Sequence, residues 1–246
     1  MQANSLSSAL IHYINQASLS HRRRKYNLKE LADLFLYFFE WKKKLSGYDS
    51  LSDKSPWLTF SAIDFLDSSV RIGMKILEFG GGGSTAFFCS KGAAVVTVEH
   101  DPKWFEIISR ALLPFNTNWK GILLPPERAE EQQKNDFADP FAYISSDAHF
   151  KGYSFKRYAS YADEYPDDHF DMILIDGRAR PSCLIHSLPK VKPGGFLILD
   201  NAEREYYLSD TIEKIRKSME VVIDSIGPGP SSKYFTRTTI WKKNNK

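Results

Sequence analysis

Cysteine is scarce: 246 residues hold two, Cys89 and Cys183. Two thiols cannot build a disulfide framework, and neither lies in a Cys-x-x-Cys or Cys/His spacing that would hold zinc. Both fall in or beside expected helices, where a small buried hydrophobe is the simpler role. A reducing, cytoplasmic setting follows as an expectation. An excess of one charge is missing too, since 33 Lys and Arg stand against 30 Asp and Glu, a net +3. A dedicated nucleic-acid binder carries a larger basic footprint, so nucleic acid is not an expected partner. Long apolar runs are absent. The most hydrophobic stretch, Leu31 to Trp41, is broken by Asp33 and Glu40 and followed by three lysines, which is too short and too charged to span a bilayer. No basic segment leads into an apolar run at the N-terminus, so no secretory signal is expected. Internal repeats and low-complexity tracts are not visible.

What is present is a chain that is 42% hydrophobic, enough for one sizeable core. Residues 1 to about 70 read as helical. Leu6, Leu10, Tyr13, Ile14 and Ala17 recur at helical spacing, and Leu28, Leu31, Ala32, Phe35, Phe39 and Trp41 form a broad apolar stripe. A third helix is expected over Phe60 to Val70, after a loop at Ser46 to Ser55. The basic run His21 to Lys25 between the first two helices reads as a solvated linker rather than a nucleic-acid or lipid contact. From Lys75 the pattern changes to short apolar strands alternating with helices, the mark of a parallel sheet. Strands are expected at Lys75–Phe79, Val95–Val98, Gly121–Leu124, Asp171–Ile175 and Phe196–Leu199, with helices at Thr85–Lys91, Lys103–Leu112 and Pro181–Val191 between them. A helix near Asp210–Met219 precedes two further strands, Val221–Ile226 and Tyr234–Trp241, joined as a hairpin through Gly227-Pro228-Gly229-Pro230-Ser231. The stretch 125–166 is long for a connection, polar early and aromatic later, and is expected to be an insertion near the ligand side of the sheet.

The most informative segment is Glu78-Phe79-Gly80-Gly81-Gly82-Gly83-Ser84-Thr85. A strand runs into four glycines and then a helix, so the backbone can turn sharply and lie against a ligand. A dinucleotide would place its pyrophosphate at such a helix start. Glu78, two residues before the first glycine, would repel phosphate and suits a ligand with a cationic amino group. About one strand later, Val95-Val96-Thr97-Val98 ends in Glu99-His100-Asp101. Glu99 can accept hydrogen bonds from both hydroxyls of a ribose. Asp101-Pro102 reads as an N-cap with proline at the first helical position.

These motifs resemble those of the class I S-adenosylmethionine (SAM)-dependent methyltransferases, over residues 56 to 243. The resemblance rests on the acidic glycine motif Glu78–Ser84, the carboxylate Glu99, the fourth-strand motif Phe170–Gly177 and the Lys192-Pro193-Gly194-Gly195 turn. It departs from the family where Ser84 stands in place of the third motif glycine. It implies a Rossmann-like α/β fold with helices on both faces of a seven-stranded, mostly parallel sheet, in the order 3-2-1-4-5-7-6 with strand 7 antiparallel. Residues 1–55 would be a helical extension, serving as a lid or an interface of a homodimer, and 56–246 the methyltransferase domain. SAM would be the cofactor, held by Trp57, Thr59, Glu78, Gly80, Gly81, Gly82, Ser84, Thr85, Glu99, His100 and Asp176. Asp176, Asp200 and Asn201 match the metal-binding Asp, Asp and Asn of catechol-type O-methyltransferases, which implies a magnesium ion at the acceptor hydroxyl. That subgroup's general-base lysine, three residues after the first Asp, is Ala179 here, so a metal-free role for the three residues stays open. Arg178, Arg180 and Arg204 lie near them in sequence, either to bind an acidic group or as salt bridges within the loops. The expected activity is O-methylation of a small molecule or saccharide, with Asp176, Asp200, Asn201 and Arg178 at the acceptor. A SAM-binding module without turnover, an aminopropyltransferase-like enzyme and a nicotinamide enzyme are the alternatives.

Overall fold

The structure is a computed structural model and describes residues 6–115, 118–129 and 136–245. Two long helices, α1 (Leu6–Arg23) and α2 (Leu28–Lys44), precede α3 (Phe60–Ser69). The alternating part then runs β1 (Lys75–Phe79), α4 (Gly83–Ser90), β2 (Ala94–Glu99), α5 (Pro102–Ala111) and β3 (Trp119–Leu123). A two-stranded ribbon of β4 (Glu127–Arg128) and β5 (Tyr153–Ser154) and the short α6 (Lys156–Ala159) follow. The chain continues through β6 (Phe170–Ile175), α7 (Arg180–Ser187), β7 (Val191–Leu199), α8 (Ile212–Ser218), β8 (Met219–Gly227) and β9 (Thr236–Lys243).

Seven strands form one sheet in the order β3-β2-β1-β6-β7-β9-β8. The first five are parallel to one another, and β9 is antiparallel to both β7 and β8. This is the order implied by the resemblance, with the C-terminal hairpin supplying the antiparallel strand. Boundaries differ from the sequence expectation by a few residues. The largest difference is β7, which begins at Val191 because the Lys192–Gly195 turn is absorbed into the strand by a register irregularity against β6.

Side chains alternate across the sheet as the two-residue strand period requires. Ile76, Val95, Met172, Ile198 and Ile240 face α3 and α4, while Leu77, Phe79, Ile173, Leu197 and Trp241 face α6, α7 and α8. Cys89 and Cys183 are buried and free, one in each layer, as expected for small core hydrophobes. The aromatic half of the 125–166 insertion is core as well, for Phe155 and Tyr158 are fully buried under β1 and β6. Residues 130–135 of its polar half lie outside the described residues.

The α1–α2 hairpin builds a separate apolar cluster of Tyr13, Leu34, Phe38 and Trp41 with Phe60, Ile226 and Phe235. Asn27 and Glu30 form a reciprocal capping box that starts α2. Trp41 Nε1 donates to the Ser232 carbonyl at 2.7 Å, and His12 Nε2 lies 2.7 Å from that of Lys233. The hairpin therefore braces the segment between β8 and β9. No helix among the described residues is long and apolar enough to cross a membrane.

Candidate active site

The carboxyl ends of β1, β2, β6 and β7 open onto one cleft of about 740 Å³, within the usual range for a small-molecule site. Its floor is the glycine turn. Gly80 has φ +86°, and a Cβ there would lie 2.8 Å from Gly177 Cα, so β1 and β6 can meet only through glycines. A Cβ on Gly83 would collide with the carbonyl oxygens of Ser50 and Ser55. Close approach of neighbouring chain thus accounts for two glycines that sequence reasoning ascribed to a ligand. Gly82 has only Trp104 near its Cβ position, at 3.7 Å, and lines the cleft.

Glu78 does not line the cleft, which corrects its expected contact with the ligand's amino group. It lies on the α4 side of β1, fully buried, and accepts from the hydroxyls of Ser84, Thr85 and Thr97. Burial pushes its carboxyl up to about 7 against the pull of those hydroxyls. Thr85 Oγ1 also accepts from Gly82 N at 2.9 Å. Glu78 and Thr85 together pin the turn from behind, so Thr85 is removed from the ligand set as well. Ser84 donates inward to Glu78 yet borders the cavity. Thr59 is likewise corrected: it is the buried N-cap residue of α3, and its amide donates to Thr238 Oγ1 at 3.3 Å. Trp57, exposed, does border the cleft.

Glu99 is placed as expected, at the end of β2 on the cleft wall. Its Oε1 accepts from the amides of His100 (2.7 Å) and Asp101 (2.9 Å), and its Oε2 from Gly81 (3.1 Å). Burial works to raise its pKa, but the hydrogen bonding from His100 and the Asp101 amide outweighs burial and holds the group ionised. His100 Nδ1 lies 2.7 Å from Oε1, and Nε2 faces Arg178 Nε at 3.4 Å. A guanidinium only donates, so Nε2 is the accepting nitrogen and Nδ1 carries the proton. Asp101 caps α5 through the amides of Lys103 and Trp104. That cap sets Trp104, whose indole donates to the Gly81 carbonyl at 2.8 Å and lines the cleft. Sequence reasoning missed Trp104, although its place in the first turn after the Asp-Pro cap signalled it.

The opposite wall is built on Arg180. Its guanidinium donates to the carbonyls of Gly177 (2.9 Å), Asp176 (2.8 Å) and Asp200 and to Asp176 Oδ1 (3.0 Å). One buried cation thereby joins the ends of β6 and β7. Burial raises the pKa of both Asp176 and Asp200, with Arg180 opposing in each case. Asp200 Oδ1 is taken by Thr238 Oγ1 at 2.7 Å. Asn201 has φ +51° and also lines the cleft.

This set does not fit the expected magnesium ion. Arg180 holds a fixed positive charge against Asp176 and the Asp200 carbonyl, the ground a divalent cation would need, and like charges repel there. Among the described residues no group of three or more His, Cys, Asp or Glu side chains is arranged to hold a metal ion. The three sequence-neighbouring arginines do converge on the cleft. Arg178 pairs with Asp147 at 3.0 Å and lies over the Phe150 ring, and Arg180 pairs with Asp176. Arg204 bonds Tyr207 Oη at 2.8 Å and has no carboxylate within 4.0 Å among the described residues.

No family model matches the sequence, and no curated protein matches it. Solved structures do. The cofactor-bound protein Rv0187 from MTB aligns with TM-score 0.54 over 90% of this chain and all of its own, at 15% identity. A protein described as an O-methyltransferase from Klebsiella pneumoniae gives 0.53 over 87% of this chain and 97% of its own, at 18% identity. One described as an rRNA methylase from Clostridium thermocellum gives 0.51 over 81% and 98%, at 13% identity. The fold is that of the class I methyltransferases. Within that fold, the cleft lies beyond the carboxyl ends of the parallel strands, on both sides of β1 where the strand order reverses, the position at which open α/β sheets bind ligands.

Proposed function

We propose that this chain transfers a methyl group from SAM to a hydroxyl of a small molecule or saccharide. The observation that carries the reading is one cleft with two unlike carboxylates. Glu99 is held ionised on the cofactor side, and burial raises Asp176 to about 6 on the other, which makes it the stronger base of the two. The residues fit SAM. Glu99 Oε2, which among the described residues accepts only from the Gly81 amide, keeps a lone pair for a ribose hydroxyl, the rings of His100 and Trp104 line the cleft beside it, and Gly82 leaves the turn open. SAM bound there would supply an electrophilic methyl group on a positively charged sulfur.

The protein's own work is then positioning, electrostatics and one proton transfer. Asp176 receives the hydroxyl proton as the oxygen–methyl bond forms and the carbon–sulfur bond breaks. Among the described residues its Oδ2 has no hydrogen-bond donor, whereas Oδ1 is tied to Arg180. Arg180 fixes Asp176 in place and supplies the local positive charge, so no divalent cation is required. Asn201 and Arg178 border the acceptor end and orient the substrate.

The test is release of S-adenosylhomocysteine from SAM across a panel of hydroxylated metabolites and saccharides. With an acceptor in hand, Asp176→Asn should lower kcat by ~10²-fold and leave S-adenosylhomocysteine affinity unchanged. Binding of SAM with no product from any acceptor would favour a module without turnover. Full activity in Asp176→Asn would remove Asp176 from proton transfer.

A further inference from the structure

The outer side of the α1–α2 hairpin is apolar and uncovered. On α2, Leu28, Leu31, Phe35 and Phe39 are 86%, 47%, 72% and 62% exposed. At 3.6 residues per turn they share a sector of about 80°, centred roughly 90° from the one that carries Leu34, Phe38 and Trp41 into the core. On α1, Leu10 and Ile14 are 40% and 52% exposed. The two stripes lie side by side. Tyr13 of α1 and Phe38 of α2 meet between the helices, ring centroids 5.2 Å apart. From Tyr13, His12 and Gln16 lie on the side that reaches residues 233–235, and Leu10 and Ile14 on the other. From Phe38, Tyr37 lies on the side that meets Phe60, and Phe35 and Phe39 on the other. The short turn between α1 and α2 makes them antiparallel, so their opposite winding brings both stripes to the same outer surface.

We propose that this surface is where a second copy of the chain docks, hairpin against hairpin about a twofold axis. Taking ~190 Å² for a fully exposed large apolar residue, these six side chains offer roughly 700 Å². That exceeds the largest apolar patch of an ordinary monomer, ~300–600 Å², and comes close to the ~800 Å² each partner contributes to a standard interface before any rim is counted. The composition is that of an interface centre. Phe35 and Phe39 make an edge contact at 6.4 Å in the middle of the stripe, and the six positions include no charge. Lys29 pairs with Asp33 at 2.6 Å and Lys44 with Glu40 at 3.5 Å, whereas Lys42 and Lys43, at the C-terminal end of the stripe, have no carboxylate within 4.0 Å among the described residues and give it a polar border. An apolar stripe is complementary to itself, which a twofold contact demands. The hairpin also holds Ser232, a cleft residue, through Trp41, so the dimer would stiffen one wall of the site.

The experiment is equilibrium sedimentation of the full chain, with light scattering as a second reading. Wild type is expected to be dimeric, and Phe35→Glu/Phe39→Glu to weaken the dimer by ~30-fold or more. The variant should keep its circular dichroism and its S-adenosylhomocysteine affinity. If it fails to fold, Phe35→Cys in an otherwise wild-type chain replaces it. Oxidation should then link two copies through residue 35, while Ile72→Cys, 86% exposed on the catalytic domain, should not. A monomeric wild type overturns the proposal, as does a dimer indifferent to both phenylalanines. A monomer that sediments with phosphatidylglycerol vesicles would assign the surface to lipid instead.

Discussion

Replacing Arg180 by methionine tests the reading of the acceptor wall. The substitution keeps most of the side-chain volume and removes every donor. Three carbonyls, those of Asp176, Gly177 and Asp200, and the Asp176 carboxylate would lose their partner. A buried acceptor left without a donor costs about 1–3 kcal/mol, and breaking a buried ion pair about 3–5 kcal/mol. These losses overlap, since Asp176 can escape by taking up a proton and the strand ends can relax toward the cleft. A net loss of about 4 kcal/mol is the working figure, a large share of the ~5–15 kcal/mol that stabilises a domain. At ~2–4 °C per kcal/mol for a chain of this size, the melting temperature should fall by roughly 8–16 °C. Arg180→Lys should recover only part of this, because an ammonium cannot reach both strand ends from one position. Thermal unfolding followed by circular dichroism gives the answer. A methionine variant that melts with wild type would refute the claim that Arg180 ties β6 to β7.

The buried carboxyl of Glu78 and the absence of a metal requirement give two more predictions. Glu78 has a folded pKa raised to about 7 from an ordinary 4.5, so between those values the folded chain holds a proton that the unfolded chain has released. Its contribution is fully present below pH ~4.5 and is lost as pH rises through about 7, by ~3 kcal/mol at most. Glu78→Gln should therefore gain stability relative to wild type between pH 5 and 8 in urea titrations, and an unchanged difference would contradict the burial of that carboxyl. Once an acceptor is known, EDTA should leave turnover unchanged and added magnesium should not raise it. Activity that vanishes with EDTA and returns with magnesium would restore the metal reading.

The sheet was legible because its strands are short apolar runs bounded by turn residues, and the glycine turn and the Glu99 strand end fixed where a ligand would lie. The strand order came with the family resemblance. The direction of Glu78 was harder to read. Alternation puts it on the opposite face from Leu77 and Phe79, but that this face meets three hydroxyls depends on Thr97 arriving from β2 and on Ser84 and Thr85 from α4. Arg180 was visible only as one of several basic residues. Its role depends on four acceptors from two strand ends, three of them backbone atoms that leave no mark on the sequence. Gly83 misled for a similar reason, since the segment that crosses it, Ser50 to Ser55, is distant along the chain.

Under the proposed function, Glu99 holds the ribose of SAM in this cleft. Isothermal titration of the protein with S-adenosylhomocysteine, with NADH as the control, is the test. S-adenosylhomocysteine should bind and NADH should not. Glu99→Gln, checked for an unchanged fold, should weaken binding by ~10-fold or more, the loss of a charge-assisted hydrogen bond of about 1.5–3 kcal/mol. Tight binding of NADH with none of S-adenosylhomocysteine, or an affinity unchanged in Glu99→Gln, would contradict it.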